Sequence, residues 1–503
     1  MQCHHVVRFD ESLFVNRERA RQEFVSAVFS AGLPVYLEFH GVAGMGKTEL
    51  LKWIAANPGR EPYVAAYLDF EDAHFYQPGL HPILAAIADQ LAEQIDSGLF
   101  SGVRALLPEI IERKRALYAS RRDAAAADLR ELEAPLIQAF LDELRVILAW
   151  RKVALCLDST EKAYRPALNR LEECLLLPFS AQPNFLLVAA GQERVAWNHQ
   201  EIRHRIRPYP LANFDSKWGR MQVEQLARVK QFPVEDGDAV IERIVNLTVG
   251  HPYSTYKLVD MLTDGFTSSL APHVFEHRLT NCLQQLLDLV VEGRILARTQ
   301  LGDAYPPARK ILWLLAPLRS IELGVFRFVL SACMKQAFDG KPVTFFERLF
   351  GAFQTTAILT RWQLDSGFVT DPVARNLLLW DMRVNTPEFF VQLTDMLEKH
   401  YGEKVGKTHE ATQVKNLIER LYHYATALRV TLPNYVNSQV QEALEESLAD
   451  YFTLEYAGDD MTLREQFNRL QIALERDDDL SALVYLPDLL RLVAEQKARV
   501  LND

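Results

Sequence analysis

Residues 41–48 read Gly-Val-Ala-Gly-Met-Gly-Lys-Thr, the pattern G-x-x-x-x-G-K-[ST]. This octet restricts the fold more than any other part of the chain, because its chemistry works in one local setting: strand, tight turn, helix. The flanks supply that setting. Residues 35–40 form a short β-type run, and Leu50, Leu51, Ile54 and Ala55 recur at helical spacing behind the loop. Glycines at 41, 44 and 46 let the backbone turn tightly and face its N–H groups inward. The helix that follows adds its positive N-terminal end. The candidate nucleotide-binding set is therefore Gly41, Val42, Ala43, Gly44, Met45, Gly46, Lys47, Thr48 and Glu49. Lys47 is expected to reach the β- and γ-phosphates and Thr48 to hold Mg²⁺.

Downstream segments extend the alternation of strand and helix that predicts a parallel sheet. Tyr63–Phe70 reads as a strand, and a helix follows from His81 to Ile95. Leu136, Ile137, Phe140, Leu141, Leu144, Ile147 and Leu148 repeat at three and four, the buried stripe of an amphipathic helix. Val153–Asp158 is an apolar strand ending in Asp, which places Asp158 at the sheet edge to hold the Mg²⁺ shell through water. Three residues on, Glu161 is either the group that polarises the attacking water or a helix N-terminal acid. Phe185–Ala190 is a further strand, and Arg194 behind it would lie at the edge where a guanidinium can sense the γ-phosphate. Residues 226–265 read as helical, broken by the turn Gly250-His251-Pro252. His251 reads there as a turn residue, not a ligand.

The pattern changes after residue 308. Helices are predicted at 308–316, 322–336 and 343–356, then a hairpin formed by residues 358–364 and 368–371, the layout of a winged helix. Residues 386–503 are helical throughout, with no self-similarity at a fixed period. Charge is uneven along the chain, whose net is −11. Residues 386–503 hold 12 Lys/Arg against 21 Asp/Glu, and residues 305–385 hold 10 against 6. An acidic C-terminal region is a poor nucleic-acid surface and favours protein contacts. The five cysteines form no C-x-x-C pair, which argues against a disulfide framework or a zinc cluster and fits a reducing, cytoplasmic setting. Cys3-His4-His5 reads as a terminus without a second ligand cluster. No run of 18 apolar residues is present to form a membrane span.

In this order the motifs resemble the STAND class of signalling NTPases, which includes the NACHT and NB-ARC groups. Phe14-Val15-Asn16-Arg17-Glu18 resembles the family's entry motif beside the adenine pocket, with Asn16 where Gly is usual. Gly41–Thr48 is the phosphate loop, Leu155–Asp158 matches the Walker B strand, and Arg194 matches the sensor position. Gly250-His251-Pro252 matches the Gly-x-Pro turn of the helical lid, where the resemblance implies that Pro252 packs on the nucleotide. Val369-Thr370-Asp371 falls where the winged helix carries Met-His-Asp. Two positions depart from the pattern. Thr370 replaces the His that clamps the β-phosphate, so an ADP-bound off state is expected to be held less firmly. Ser159 replaces the acidic residue that often follows the Walker B Asp, so hydrolysis would rely on Glu161.

The resemblance covers roughly residues 11–385 and implies an α/β P-loop NTPase domain at 1–225, a helical lid at 226–300 and a winged-helix domain at 301–385; the helices of 386–503, Tyr-rich as in Leu417–Ala427, read as an all-α sensor domain of tetratricopeptide-like type. It implies a slow, oligomerising ATPase switch that takes ATP, ADP and Mg²⁺ and regulates a partner protein through its C-terminal helices, as in bacterial conflict systems. No enzyme motif follows residue 385, so output is expected through a separate protein or through assembly. The competing expectation is a DNA-associated ATPase of origin-recognition type, which joins the same modules; the mildly basic 305–385 segment permits it.

Overall fold

The computed structural model describes residues 9–15, 17–30, 32, 34–56, 62–76, 79–120, 126–231, 237–264, 272–291, 308–354, 359–361 and 368–502. It divides into two compact units, Met1–Cys282 and Leu283–Asp503, parted inside the helix Pro272–Val290.

The first unit is an α/β P-loop NTPase fold. Among its described residues five strands form one parallel sheet: β1 (Tyr36–His40), β2 (Tyr63–Asp69), β3 (Lys152–Asp158), β4 (Phe185–Gly191) and β5 (Ile206–Pro210), in the order β2-β3-β4-β1-β5. Side chains along a strand alternate between faces, and both faces here are covered. Val153, Leu155 and Leu157 join Phe185, Leu187 and Ala189 beneath the helices His81–Ile95, Ser101–Ser120 and Ala126–Leu148. Ala154 and Cys156 join Leu186, Val188 and Leu37 on the other face, against the helices Glu18–Phe29 and Lys47–Ala56. This alternation also places the functional groups. Asp158 shares the face of Cys156, toward the helix that Lys47 opens.

The sequence reading found β2, β3 and β4 to within a residue or two and missed β5. That strand carries Pro208 and Pro210 and little apolar burial. It sits at the sheet edge, where a missing N–H is tolerated and no alternating pattern is required. The boundary drawn at 225/226 lies within one helix, Ser216–Val229, which begins the helical segment earlier than the apolar pattern indicated.

The other edge, β2, is finished by two glutamines of the helix His81–Ile95. Gln94 Oε1 accepts from the Ala65 N–H at 3.0 Å and its Nε2 donates to Ala65 O at 2.6 Å. Gln90 does the same at Tyr67, at 2.8 and 2.9 Å. Four residues of helix rise about 6 Å and two residues of strand about 6.6 Å, so the carboxamides fall in step with the ladder and replace a sixth strand. Replacing both by leucine is expected to cost about 2–3 kcal/mol, since four backbone groups lose their partners, and to expose an edge prone to pairing with other chains. A fall in the urea midpoint together with rising light scattering would show it; an unchanged midpoint would not fit.

In the second unit the helices Ala308–Leu315, Leu323–Cys333 and Val343–Gln354 precede an antiparallel ribbon, β6 (Leu359–Arg361) and β7 (Phe368–Thr370). Ile321 adds a bridge to Phe368. The helices Pro372–Asn385 and Pro387–Val405 follow, separated at Thr386. Beyond it the helix Glu410–Thr431 is buried on most of its circumference, as befits the centre of a bundle. It packs on Pro387–Val405, Val436–Tyr451 and Asp460–Glu475. Arg319 ties the two parts of this unit together. Its Nη1 donates to both Asp477 oxygens at 2.7 Å, its Nη2 lies 3.0 Å from Glu419 Oε1, and its guanidinium covers the Tyr422 ring. Among the described residues no helix is long and apolar enough to cross a membrane.

Candidate nucleotide site

The loop at the end of β1 has the backbone its glycines predict. Gly41, Gly44 and Gly46 have φ of 157°, 88° and 79°. At Gly41 a side chain is also barred by space, since a Cβ would lie 2.6 Å from Leu211 O. At Gly46 a Cβ would meet nothing within 4 Å, so the loop borders open space, not packed side chains. The helix Lys47–Ala56 starts directly from it. Lys47 is largely buried, and its Nζ donates to Gly41 O at 2.7 Å and Val42 O at 2.9 Å. The ammonium is thus folded back across the loop.

Asp158 is 1% exposed and lies beside the start of that helix. Its carboxylate accepts from the Thr48 hydroxyl, from Tyr67 Oη at 2.8 Å and from the Ser159 N–H at 2.8 Å. Burial pushes its pKa above the ordinary aspartate value; the bonds from Thr48 and Tyr67 offset this in part, and Asp69 on the paired strand adds to the rise. Burial and the adjacent carboxylates push the Tyr67 hydroxyl upward too, so it stays a donor. This oxygen-rich corner fits Mg²⁺: a hydroxyl and a buried carboxylate are hard donors, and a cation would relieve the raised proton affinity. Tyr67 was not singled out from the sequence, although its parity in β2 places it on Asp158's face.

The turn after β3 is tight. Ser159 has a φ of 54°, and Thr160 packs so closely on the end of β4 that a Cβ on Gly191 would lie 2.3 Å from Thr160 Oγ1. Glu161 Oε2 accepts from the Gln192 N–H at 3.0 Å. Arg194 is 59% exposed, and its Nε meets Glu38 Oε2 at 3.2 Å while Val195 N–H donates to Glu38 Oε1. Glu38 shares the strand parity of Tyr36, so this pair belongs to the sheet face away from Lys47–Ala56.

Two distant segments close on the loop. Arg17, held at a φ of 72°, donates from Nη2 to Met45 O at 2.5 Å and from Nη1 to Ala212 O at 2.9 Å, with Phe214 under its guanidinium. Burial brings its pKa down to about 10, so it keeps its charge at neutral pH. Asn16 lies outside the described residues, as do Cys3, His4 and His5. Gly250 at a φ of 63° sets the second segment; a Cβ there would lie 2.1 Å from Phe214 O. His251 then caps the helix Pro252–Thr263 and reaches Ala43 O with Nε2 at 3.1 Å, and Tyr253 N–H donates to Gly44 O at 3.2 Å. Pro252, between these two residues in the chain, is buried. The sequence identified the turn and left His251 without a role toward the loop.

In the second unit Thr370 is buried with its Oγ1 unpartnered, and Asp371 caps the helix Pro372–Asn385 through the Val373 and Ala374 N–H groups.

No protein-family model matches the chain, and no curated protein does. Among solved structures it is similar to the Holliday junction branch migration motor RuvB of Thermotoga maritima at 15% identity and a TM-score of 0.35, over 72% of this chain and 95% of RuvB. It is similar to Cdc6p of Pyrobaculum aerophilum at 12% and 0.35, over 74% and 99%. It is similar to PCH-2 of C. elegans at 11% and 0.33, over 55% and 70%. At these identities and superpositions, no role passes from those proteins to this one.

Proposed function

We propose that this chain is a STAND-like, nucleotide-dependent switch that binds ATP and ADP with Mg²⁺, hydrolyses ATP slowly, and regulates a partner protein through its C-terminal helices. The observation that carries the nucleotide reading is the loop itself: open space over Gly46, an adjoining helix N-terminus, a lysine at hand, and the Thr48–Asp158 pair beside it. Thr48 and Asp158 would hold Mg²⁺, which when bound neutralises phosphate charge. The loop amides orient the phosphates, and Lys47 exchanges two loop carbonyls for phosphate oxygens. Tyr67 keeps Asp158 turned toward Thr48.

Glu161 is the candidate for orienting water, acting after release of the Gln192 N–H. Arg194 would sense the γ-phosphate by giving up Glu38 for it. The helices Ala308–Leu315, Leu323–Cys333 and Val343–Gln354 with the β6–β7 ribbon are proposed as a winged helix, and residues 386–503 as the partner-binding region. The acidic balance of that region supports a protein partner over DNA. Native mass spectrometry of the purified chain tests the reading. The expected spectrum carries the added mass of ADP or ATP and reports the assembly state with it. A chain that shows no adduct even after incubation with Mg²⁺ and ATP would exclude a nucleotide switch.

A further inference from the structure

Three consecutive carbonyls of the phosphate loop are held from outside it. Ala43 O accepts from His251, Gly44 O from the Tyr253 N–H, and Met45 O from Arg17. The proton on His251 can be assigned from its neighbours. The Ser254 N–H donates to Nδ1 at 3.2 Å and Ser254 Oγ lies 2.9 Å from it, so Nδ1 is the acceptor and Nε2 carries the proton. The ring is therefore a donor aimed at Ala43 O, and it is 1% exposed.

A trans peptide is planar, so the C=O of one residue and the N–H of the next point in opposite directions. Holding the carbonyls of residues 43, 44 and 45 from outside the loop turns the N–H groups of Gly44, Met45 and Gly46 away from those donors. A hydrogen bond at the carbonyl also polarises its peptide and strengthens the N–H as a donor. From this geometry we infer that His251, the Tyr253 amide and Arg17 are positioning groups for phosphate binding. The docked helix Pro252–Thr263 keeps the Gly44 and Met45 amides aimed at the anion, Arg17 keeps that of Gly46, and departure of the helix loosens the first two. Coupling between lid and nucleotide then runs through the loop's own peptide planes and needs no contact of the lid with the base. The inference rests on the nucleotide reading above and names how that site is regulated.

The test uses the full chain and isothermal calorimetry with two probes, ATP and inorganic pyrophosphate. His251→Phe keeps a ring and removes the donor, His251→Gln keeps a donor, and Arg17→Leu removes the Met45 contact independently. His251→Phe and Arg17→Leu are each expected to bind both probes about tenfold more weakly, with His251→Gln within about threefold of the parent. A purely structural cap at His251 would not be rescued by the carboxamide. ATP binding by His251→Phe and Arg17→Leu within about twofold of the parent overturns the inference. So does a loss for ATP with none for pyrophosphate, which would mean that the lid acts on the base. Should His251→Phe not fold, pyrophosphate binding by Arg17→Leu decides: a loss of about tenfold supports the inference, and binding within about twofold of the parent overturns it. A parent chain that binds neither probe overturns the nucleotide reading itself, and this inference with it.

Discussion

Lys47→Ala is expected to weaken ATP binding about a hundredfold, because a charge-assisted contact to phosphate is lost from a partly desolvated site. The ammonium donates to Gly41 O and Val42 O, both neutral carbonyls of the same loop. A doubly charged phosphate outbids them, while alanine leaves the amides to act alone. Truncation also frees the two carbonyls, so a modest fall in stability should accompany the loss. Calorimetric titration with ATP and Mg²⁺ reads the affinity. Wild-type affinity in the variant would remove the phosphate-loop assignment. Any ATP-dependent assembly of the chain should fail with the same variant, which ties oligomerisation to the site.

Arg319→Ala is expected to destabilise the second unit by about 3–5 kcal/mol, the usual cost of leaving buried carboxylates without their partner. The guanidinium satisfies both oxygens of Asp477 and lies against Glu419, all three groups being nearly buried. Burial by itself would lower the arginine's pKa; the two carboxylates outweigh it and raise the value above the ordinary one. The effect should be local. Arg319 precedes the Ile321 bridge to β7, Glu419 sits on the central helix, and Asp477 caps the short turn Asp478–Ser481. For a unit of this size the loss corresponds to a fall of about 10 °C in its melting temperature. Scanning calorimetry should show the transition of residues 283–503 moving while that of the first unit stays. If the two transitions move together, or neither moves, the cluster is not what joins the ribbon-bearing part to the helical bundle.

Much of the site was legible because its requirements are local. A phosphate loop needs glycine at particular turns, a strand before and a helix after, and all of this lies within about twenty consecutive residues. Asp158 followed from the same logic, as the polar end of a wholly apolar strand. Parity within the strands carried information that the sequence reading did not use. It puts Tyr67 beside Asp158, and Glu38 on the face away from Lys47–Ala56. Other features had no local signature. The prolines of β5 read as loop until the strand is seen at an edge. Gln90 and Gln94 read as the polar face of a helix until β2 is seen with no further strand beyond it among the described residues.

The sequence by itself determined that the chain builds a phosphate loop on a parallel sheet and follows it with a largely helical remainder, since backbone freedom and hydrophobic period are written residue by residue. Only the tertiary structure decided what grips that loop from behind. Arg17 and His251 lie 28 and 208 residues from the carbonyls they hold. A hydrogen bond across such a separation depends on where two elements come to rest, and no pattern in either stretch of chain specifies its partner.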